Sequence, residues 1–170
     1  MRQRAVAARR INTPTIAMRA VIQRVSSAQV EVEGKSVGSI GKGLLVLVGL
    51  KAGDTEKDLE YMSRKVLNSR LFPASDGAKM WDQSVSQLQL EVLIVSQFTL
   101  YGFLKGNKPD YHLAMPPQQA QEMYNYFVQR LKQSYAPDKV AEGTFGAMMQ
   151  VSLVNDGPVT LQLDSDKDAK

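Results

Sequence analysis

The chain has 170 residues, 44% hydrophobic and 22% charged, the profile of one globular domain with enough apolar residues for a buried core. It has no cysteine, which excludes a disulfide framework, thiolate metal sites and a cysteine nucleophile, and no apolar run approaches the roughly 20 residues that cross a bilayer as a helix. The formal net charge is +4, yet Arg2, Arg4, Arg9 and Arg10 fall within the acid-free first 17 residues, so residues 18–170 hold 17 basic and 17 acidic residues and are neutral. Any contact with nucleic acid must therefore come from a local patch, not from global charge.

Residues 1–17 (MRQRAVAARRINTPTIA) form a basic extension that suits an organelle transit peptide, a disordered tail or an upstream start codon with Met18 as the ordinary first residue. From Met18 the pattern changes. Ala20 and Ile22, then Ala28, Val30 and Val32, alternate with polar residues as a half-buried strand does, and Gly34-Lys35 marks a hairpin turn back through Val37 and Ile40. Gly43–Leu50 (GLLVLVGL) is a continuous apolar run of strand length, which fits burial on both faces. Asp54-Thr55 reads as a helix N-cap, with Glu56, Asp58 and Glu60 on the solvated side and Leu59, Met62 and Val66 at helical spacing.

Leu71-Phe72 then leads to a loop through Asp76-Gly77 and Trp81, and Glu91–Phe98 reads as a second central strand. Residues 102–117 contain two glycines and three prolines and make a long connection of the kind that carries function in compact domains. Gln118–Tyr135 is a second helix with Met123, Tyr126, Phe127 and Leu131 on its apolar stripe. Met148–Val154 and Pro158–Leu163 are closing strands joined by a turn, and the tail from Asp164 is polar and frayed. With no repeat and no linker, residues 18–170 make a single α+β domain: a mainly antiparallel, barrel-like sheet with two main helices.

Conventional catalytic signatures are scarce. His112 is the single histidine, and neither a G-x-S-x-G elbow nor an H-E-x-x-H pair is present. Gly38–Gly43 resembles a phosphate loop only superficially, because it precedes a strand where a helix is required. Two segments stand out. Ser96-Gln97-Phe98-Thr99-Leu100 puts polar groups where an apolar strand ends, a place suited to stabilising a developing oxyanion, although ordinary strand capping also accounts for it. Asn155–Thr160 (NDGPVT) contains a stiff Gly-Pro reversal that a plain hairpin turn also accounts for.

Taken together, MRAVIQRV from Met18, SQFTL from Ser96, KGNKPDYHLAM from Lys105, FGAMMQV from Phe145 and NDGPVT from Asn155 resemble the D-aminoacyl-tRNA deacylase family. The similarity runs in the family's order and spacing over essentially all of Met18 to about Leu163. The resemblance implies hydrolysis of the ester of D-aminoacyl-tRNA, and of glycyl-tRNA, by a homodimer with its active sites at the interface. It implies no metal and no organic cofactor, and it makes the RNA's terminal adenosine part of the catalytic site.

Residue by residue, Ser96, Gln97, Phe98 and Thr99 would form the catalytic pocket. Gly157-Pro158, followed by Val159 and Thr160, would be a Gly-cis-Pro motif inserted from the other subunit to reject L-aminoacyl substrates. Arg24, Phe145 and Met149 match positions near the pocket and would hold the cis-Pro loop or the adenosine, with simple packing as the alternative. Lys105 and Lys108 would meet RNA phosphates.

The expected mechanism is economical, since an aminoacyl ester needs positioning and oxyanion stabilisation more than a strong base. Amides near Phe98 and Thr99 would hold the oxyanion, Gln97 would orient the ribose, and water assisted by the RNA 2′-hydroxyl would attack; Thr99 as nucleophile ranks below that route. A cytoplasmic location follows, or a mitochondrial or plastid one if residues 1–17 act as a targeting signal. The competing reading from another class is a non-catalytic nucleic-acid-binding protein of the same fold, binding through its arginine-rich extension.

Overall fold

A computed structural model describes residues 17–166; the extension expected over residues 1–17 lies outside them apart from Ala17. In chain order the elements are β1 (Arg19–Val32), β2 (Lys35–Ile40), β3 (Gly43–Gly49), α1 (Glu56–Asn68), β4 (Arg70–Phe72), β5 (Gln83–Ser84) and β6 (Glu91–Ser96). There follow β7 (Phe103–Lys105), β8 (Lys108–Asp110), α2 (Pro117–Ser134), β9 (Val140–Glu142) and β10 (Gln150–Asp164).

One six-stranded sheet dominates, in the order β10-β1-β3-β6-β9, with β2 on the far half of β1. β1 is long enough to serve two partners on one edge: residues 19–25 pair with β3, and residues 28–32 with β2. Glu33 and Gly34 both take positive φ (51° and 75°), the requirement of a tight two-residue hairpin. β2 then swings round to β9, so close that a Cβ on Gly38 would sit 2.5 Å from the Glu142 carbonyl oxygen. The sheet is thus nearly closed on itself, as expected.

The expectation of a mainly antiparallel sheet is corrected: it is mixed. β1 runs antiparallel to β10, β2 and β3, whereas β3–β6 and β6–β9 are parallel pairs. The cause is the two helices, because a crossover through a helix returns the chain to the same end of the sheet. The double burial of β3 and β6 follows directly. Leu44, Val46, Val48, Val92 and Ile94 face the helices, while Leu45, Leu93 and Val95 fill the barrel interior with Val25, Ala28, Val30 and Ile40. Each large aliphatic chain so buried contributes about 1.5–3 kcal/mol.

α1 starts where expected, with the Asp58 carboxylate accepting the Thr55 N–H (2.8 Å) and hydroxyl (2.9 Å). Its apolar stripe is Leu59, Met62 and Val66, as read. On α2 the stripe is Ala120, Tyr124, Phe127, Val128 and Leu131, and Tyr126 faces solvent. Tyr124 takes the place expected of Tyr126, because its hydroxyl donates to the Ile94 carbonyl (2.9 Å) and so can be buried without loss. Two further expectations change. The closing strands and turn are one strand, β10, and Ser165 just beyond it is buried and hydrogen-bonded, so the tail is anchored at that point.

Candidate active site

The first expected segment lies where β6 runs out. Ser96 pairs with Val48, the Gln97 N–H still donates to the Val48 carbonyl (2.7 Å), and residues 98–101 then wind into one 3-10 turn. Leu100 N–H returns to the Gln97 carbonyl (3.2 Å). The amides of Phe98 and Thr99 therefore open the turn, where no carbonyl within it can reach them. The Gln97 side-chain amide donates to Thr99 Oγ1 at 2.6 Å, so the threonine hydroxyl is tied to a donor and not to a base. Phe98 is 57% exposed and meets the Tyr111 ring edge-on at 5.0 Å.

Gly157-Pro158 lies within β10. Gln23 pairs with Thr160 and Val25 with Asn155, so four residues of β10 stand opposite Arg24 alone and must bulge outward. The Gly157–Pro158 bond is cis. Gly157 has φ +124°, and a Cβ there would meet Val159 Cγ2 at 2.9 Å and Arg24 Nη2 at 3.1 Å, so only glycine suits the position. Asn155 pins both ends of the bulge, its Oδ1 accepting the Val159 N–H (3.1 Å) and its Nδ2 donating to Thr160 Oγ1 (3.0 Å).

Arg24 holds the bulge from beneath. Its buried guanidinium donates to the carbonyls of Leu71 (2.7 Å) and Asp156 (3.2 Å), pairs with the Asp156 carboxylate (3.1 Å) and lies over the Phe72 ring. Gly157 and Pro158 are left exposed, with Val159 half-buried.

Phe145 and Met149 come to the end of β6. Gly143 N–H donates to the Ile94 carbonyl (2.9 Å), which carries residues 143–149 alongside it. There Phe145 packs on the Tyr124 ring (centroids 5.6 Å), and Met149 joins the apolar residues of the barrel interior. Both are half-buried. Lys105 and Lys108 sit at the tip of the β7–β8 hairpin. Lys105 is ion-paired with Asp110 and passes over the Phe103 ring, whereas Lys108 is exposed. His112 Nδ1 lies 2.5 Å from the same carboxylate, whose pKa Lys105 first, and His112 next, hold well below the usual range.

Within the chain the two motifs stay apart. The bulge faces Arg24, which pairs with Leu44, which pairs with Val92; Ser96 is four residues further along β6. That offset is about 13 Å along the strands, and three strand spacings add up to about 14 Å across them. Sequence reasoning missed the groups that fix these motifs, Asn155 and Asp156 on the bulge and Tyr111 against Phe98. For Asn155 a signal existed, since an Asn just before a Gly-Pro turn commonly bonds to its own downstream backbone. Asp58, read as lying on the solvated side of its helix, is half-buried. Among the described residues no group of His, Cys, Asp and Glu could hold a metal ion, and no helix is long and apolar enough to cross a membrane.

The family model for D-Tyr-tRNA(Tyr) deacylase matches residues 21–164. Over 148 residues the chain is 53% identical to a D-aminoacyl-tRNA deacylase of Dictyostelium discoideum, covering 87% of this chain and 98% of that protein. It is 58% identical over 148 residues to one of Drosophila melanogaster, covering 87% and 92% of the two chains. A solved structure titled c-Myc DNA Unwinding Element Binding Protein superposes with a TM-score of 0.82 at 52% identity, over 85% of this chain and 97% of that one. Another, titled a probable eukaryotic D-amino acid tRNA deacylase, has a TM-score of 0.77 at 19% identity, over 87% and 99%, and speaks for the fold alone. With a family model covering residues 21–164 and relatives more than half identical, the chain belongs to the D-aminoacyl-tRNA deacylase family of hydrolases.

Proposed function

We propose that this protein hydrolyses the ester bond of D-aminoacyl-tRNA, and of glycyl-tRNA, as a homodimer. Each active site combines the 96–99 turn of one subunit with the Gly157–Pro158 bulge of the other. The observation that carries this reading is the separation of the two motifs within one chain: a bulge fixed from below by Arg24 yet exposed at its tip has nothing to act on in its own protomer. β10 adds a route for the pairing, since β1 covers one of its edges and Val154 and Leu161 on it are exposed.

In such a site the Phe98 and Thr99 amides receive the tetrahedral oxyanion. Gln97, already on the Thr99 hydroxyl, orients the terminal ribose, and Phe145 and Met149 beside β6 flank the adenosine. Water attacks with help from the RNA 2′-hydroxyl, because Thr99 has a donor and no base at hand. Carbonyls of Gly157 and Pro158 take the substrate's α-ammonium. An L side chain then points into protein and is excluded, a D side chain points outward, and glycine offers nothing to exclude. Selection by rejection suits an enzyme that accepts many side chains. Lys108, and Lys105 once released from Asp110, reach RNA phosphates.

The test is deacylation of D-Tyr-tRNA against L-Tyr-tRNA, with a much faster D rate expected and equal rates refuting the chiral filter. The shared site has its own assay. An equal mixture of a chain altered at Phe98–Thr99 with one altered at Gly157–Pro158 should recover about a quarter of wild-type activity through heterodimers; no recovery after subunit exchange would refute the cross-subunit arrangement.

A second reading has a specific observation behind it. A structure with a DNA-binding title is 52% identical to this chain, in line with a nucleic-acid-binding protein of the same fold. Binding to uncharged nucleic acid that vanishes on deleting residues 1–17, with no esterase activity in either form, would favour it.

A further inference from the structure

The turn at residues 98–101 rests against an arginine that the proposed chemistry leaves out. Arg19 opens β1 and is paired on one side with Gly49 of β3 and on the other with Asp164 of β10. Side chains at paired positions of a sheet share a face, and on this face Gly49 offers none. The turn takes the space so left. A Cβ on Gly49 would stand 2.9 Å from Leu100 Cβ, 3.1 Å from the Gln97 carbonyl oxygen and 3.2 Å from Tyr101 Cε2. Glycine at this position lets the turn settle directly on the sheet, within reach of Arg19 on the adjoining strand.

Arg19 uses that reach. Its Nη1 donates to the Leu100 carbonyl (3.0 Å), its Nε meets the Asp164 carboxylate (3.4 Å), and its guanidinium lies 4.8 Å over the Tyr101 ring. The turn's own hydrogen bonds, Leu100 N–H to Gln97 (3.2 Å) and Gly102 N–H to Thr99 (2.8 Å), use other carbonyls. That of Leu100 is at the C-terminal end of the turn, where a cationic donor is favoured. Tyr101, next in the chain, is 2% exposed, and its hydroxyl donates to the Ala17 carbonyl. Two successive residues at this end are thus anchored on the start of β1, whereas Phe98 and Thr99 at the other end are exposed. A turn of four residues is short enough to move as a unit, so the exposed half takes its position from the anchored half.

We propose that Arg19 is a positioning residue for the esterase site: through the Leu100 carbonyl, with Asp164 steering its guanidinium, it sets where the Phe98 and Thr99 amides stand. It touches neither the substrate nor the reacting atoms. The inference rests on the reading of the 96–99 turn as the oxyanion site. A cavity of about 390 Å³, lined by Arg19, Leu100, Gln162 and Asp164 among others, lies beside these groups, so a small guanidinium compound can enter once the side chain is cut back.

The experiment compares wild type, Arg19→Ala and Arg19→Lys in deacylation of D-Tyr-tRNA, with amide hydrogen exchange over residues 97–102 on the same preparations. In Arg19→Ala, kcat should fall about 10-fold with KM within about 2-fold, because the substrate still binds and only a transition-state contact is displaced. Arg19→Lys keeps one donor for Leu100 and should stay within about 3-fold of wild type. Ethylguanidinium at millimolar concentration should restore part of the activity of Arg19→Ala and leave wild type unchanged. The Leu100 and Gly102 amides should exchange faster in Arg19→Ala, with those of β3 and β6 unaltered. A raised KM with normal kcat, or normal kcat with unchanged exchange, overturns the proposal. Wild-type protein inactive on D-Tyr-tRNA removes the esterase reading and this inference with it; an active wild type matched by Arg19→Ala removes this inference alone. Should Arg19→Ala fail to fold, Asp164→Asn decides, since it keeps the arginine and loosens only its Nε contact: kcat lower by about 3-fold with the same faster exchange supports the proposal, and no change in either overturns it.

Discussion

Replacing Arg24 with Ala tests whether the Gly157–Pro158 bulge is held by the interactions described for it. The substitution strips the buried Leu71 carbonyl of a charged donor at 2.7 Å, about 2 kcal/mol, and the part-buried Asp156 carbonyl of another at 3.2 Å, about 1 kcal/mol. The Asp156 carboxylate is 43% exposed and can turn to water, so its ion pair adds only about 0.5 kcal/mol, and the Phe72 ring at 5.9 Å a similar amount. The sum is about 4 kcal/mol, or about 12 °C in Tm for a chain of this size.

Measured well below the new Tm, kcat/KM for D-Tyr-tRNA should fall by on the order of 100-fold, since a carbonyl displaced by about 1 Å no longer meets the substrate. Arg24→Lys should recover little, because one ammonium cannot fork between the Leu71 and Asp156 carbonyls. Asp156→Asn should cost less than about 1 kcal/mol, as the carbonyl contact survives. Denaturant unfolding and initial rates on the same preparations decide the matter. A loss below about 1 kcal/mol for Arg24→Ala, or full activity in a destabilised but folded variant, would refute the account of the bulge.

Gly157→Ala should destabilise by about 1–3 kcal/mol, given φ +124° and the Arg24 contact at 3.1 Å, and should lose most D-aminoacyl-tRNA hydrolysis; both follow from unfolding curves and deacylation rates. Thr99→Ala should stay within about 3-fold of wild type, whereas 2′-deoxy substitution of the terminal adenosine should slow turnover by on the order of 100-fold; the reverse pattern would restore Thr99 as nucleophile. Asp54 sets a pH slope. Its carboxyl sits at about 7 when folded, above its unfolded value of 3.8, so the folded state binds the extra proton in between. The associated stability is full below about pH 4 and is lost as pH rises through about 7. Tm should therefore fall over that range and flatten in Asp54→Asn; an unchanged profile in the variant would assign the slope elsewhere.

What the sequence alone determined rests on local physics. The alternation in residues 20–32, the Gly34 turn, the doubly apolar run 43–50 and the helical spacing of Leu59, Met62 and Val66 each express a period or a backbone preference carried by neighbouring residues. The family resemblance added order and spacing over Met18 to about Leu163. Strand direction was not legible locally, although it was implied: runs buried on both faces and followed by helices belong to parallel pairs, which β3–β6 and β6–β9 are.

Only the tertiary structure decided the rest. Tyr124 replaces Tyr126 in the core because Ile94, 30 residues away, offers a carbonyl for its hydroxyl. Gly157-Pro158 became a bulge within one strand because Arg24 binds Asp156 from the neighbouring strand. Each outcome depends on a partner far off in sequence, and burial sets its energy, so composition and periodicity carry no trace of it.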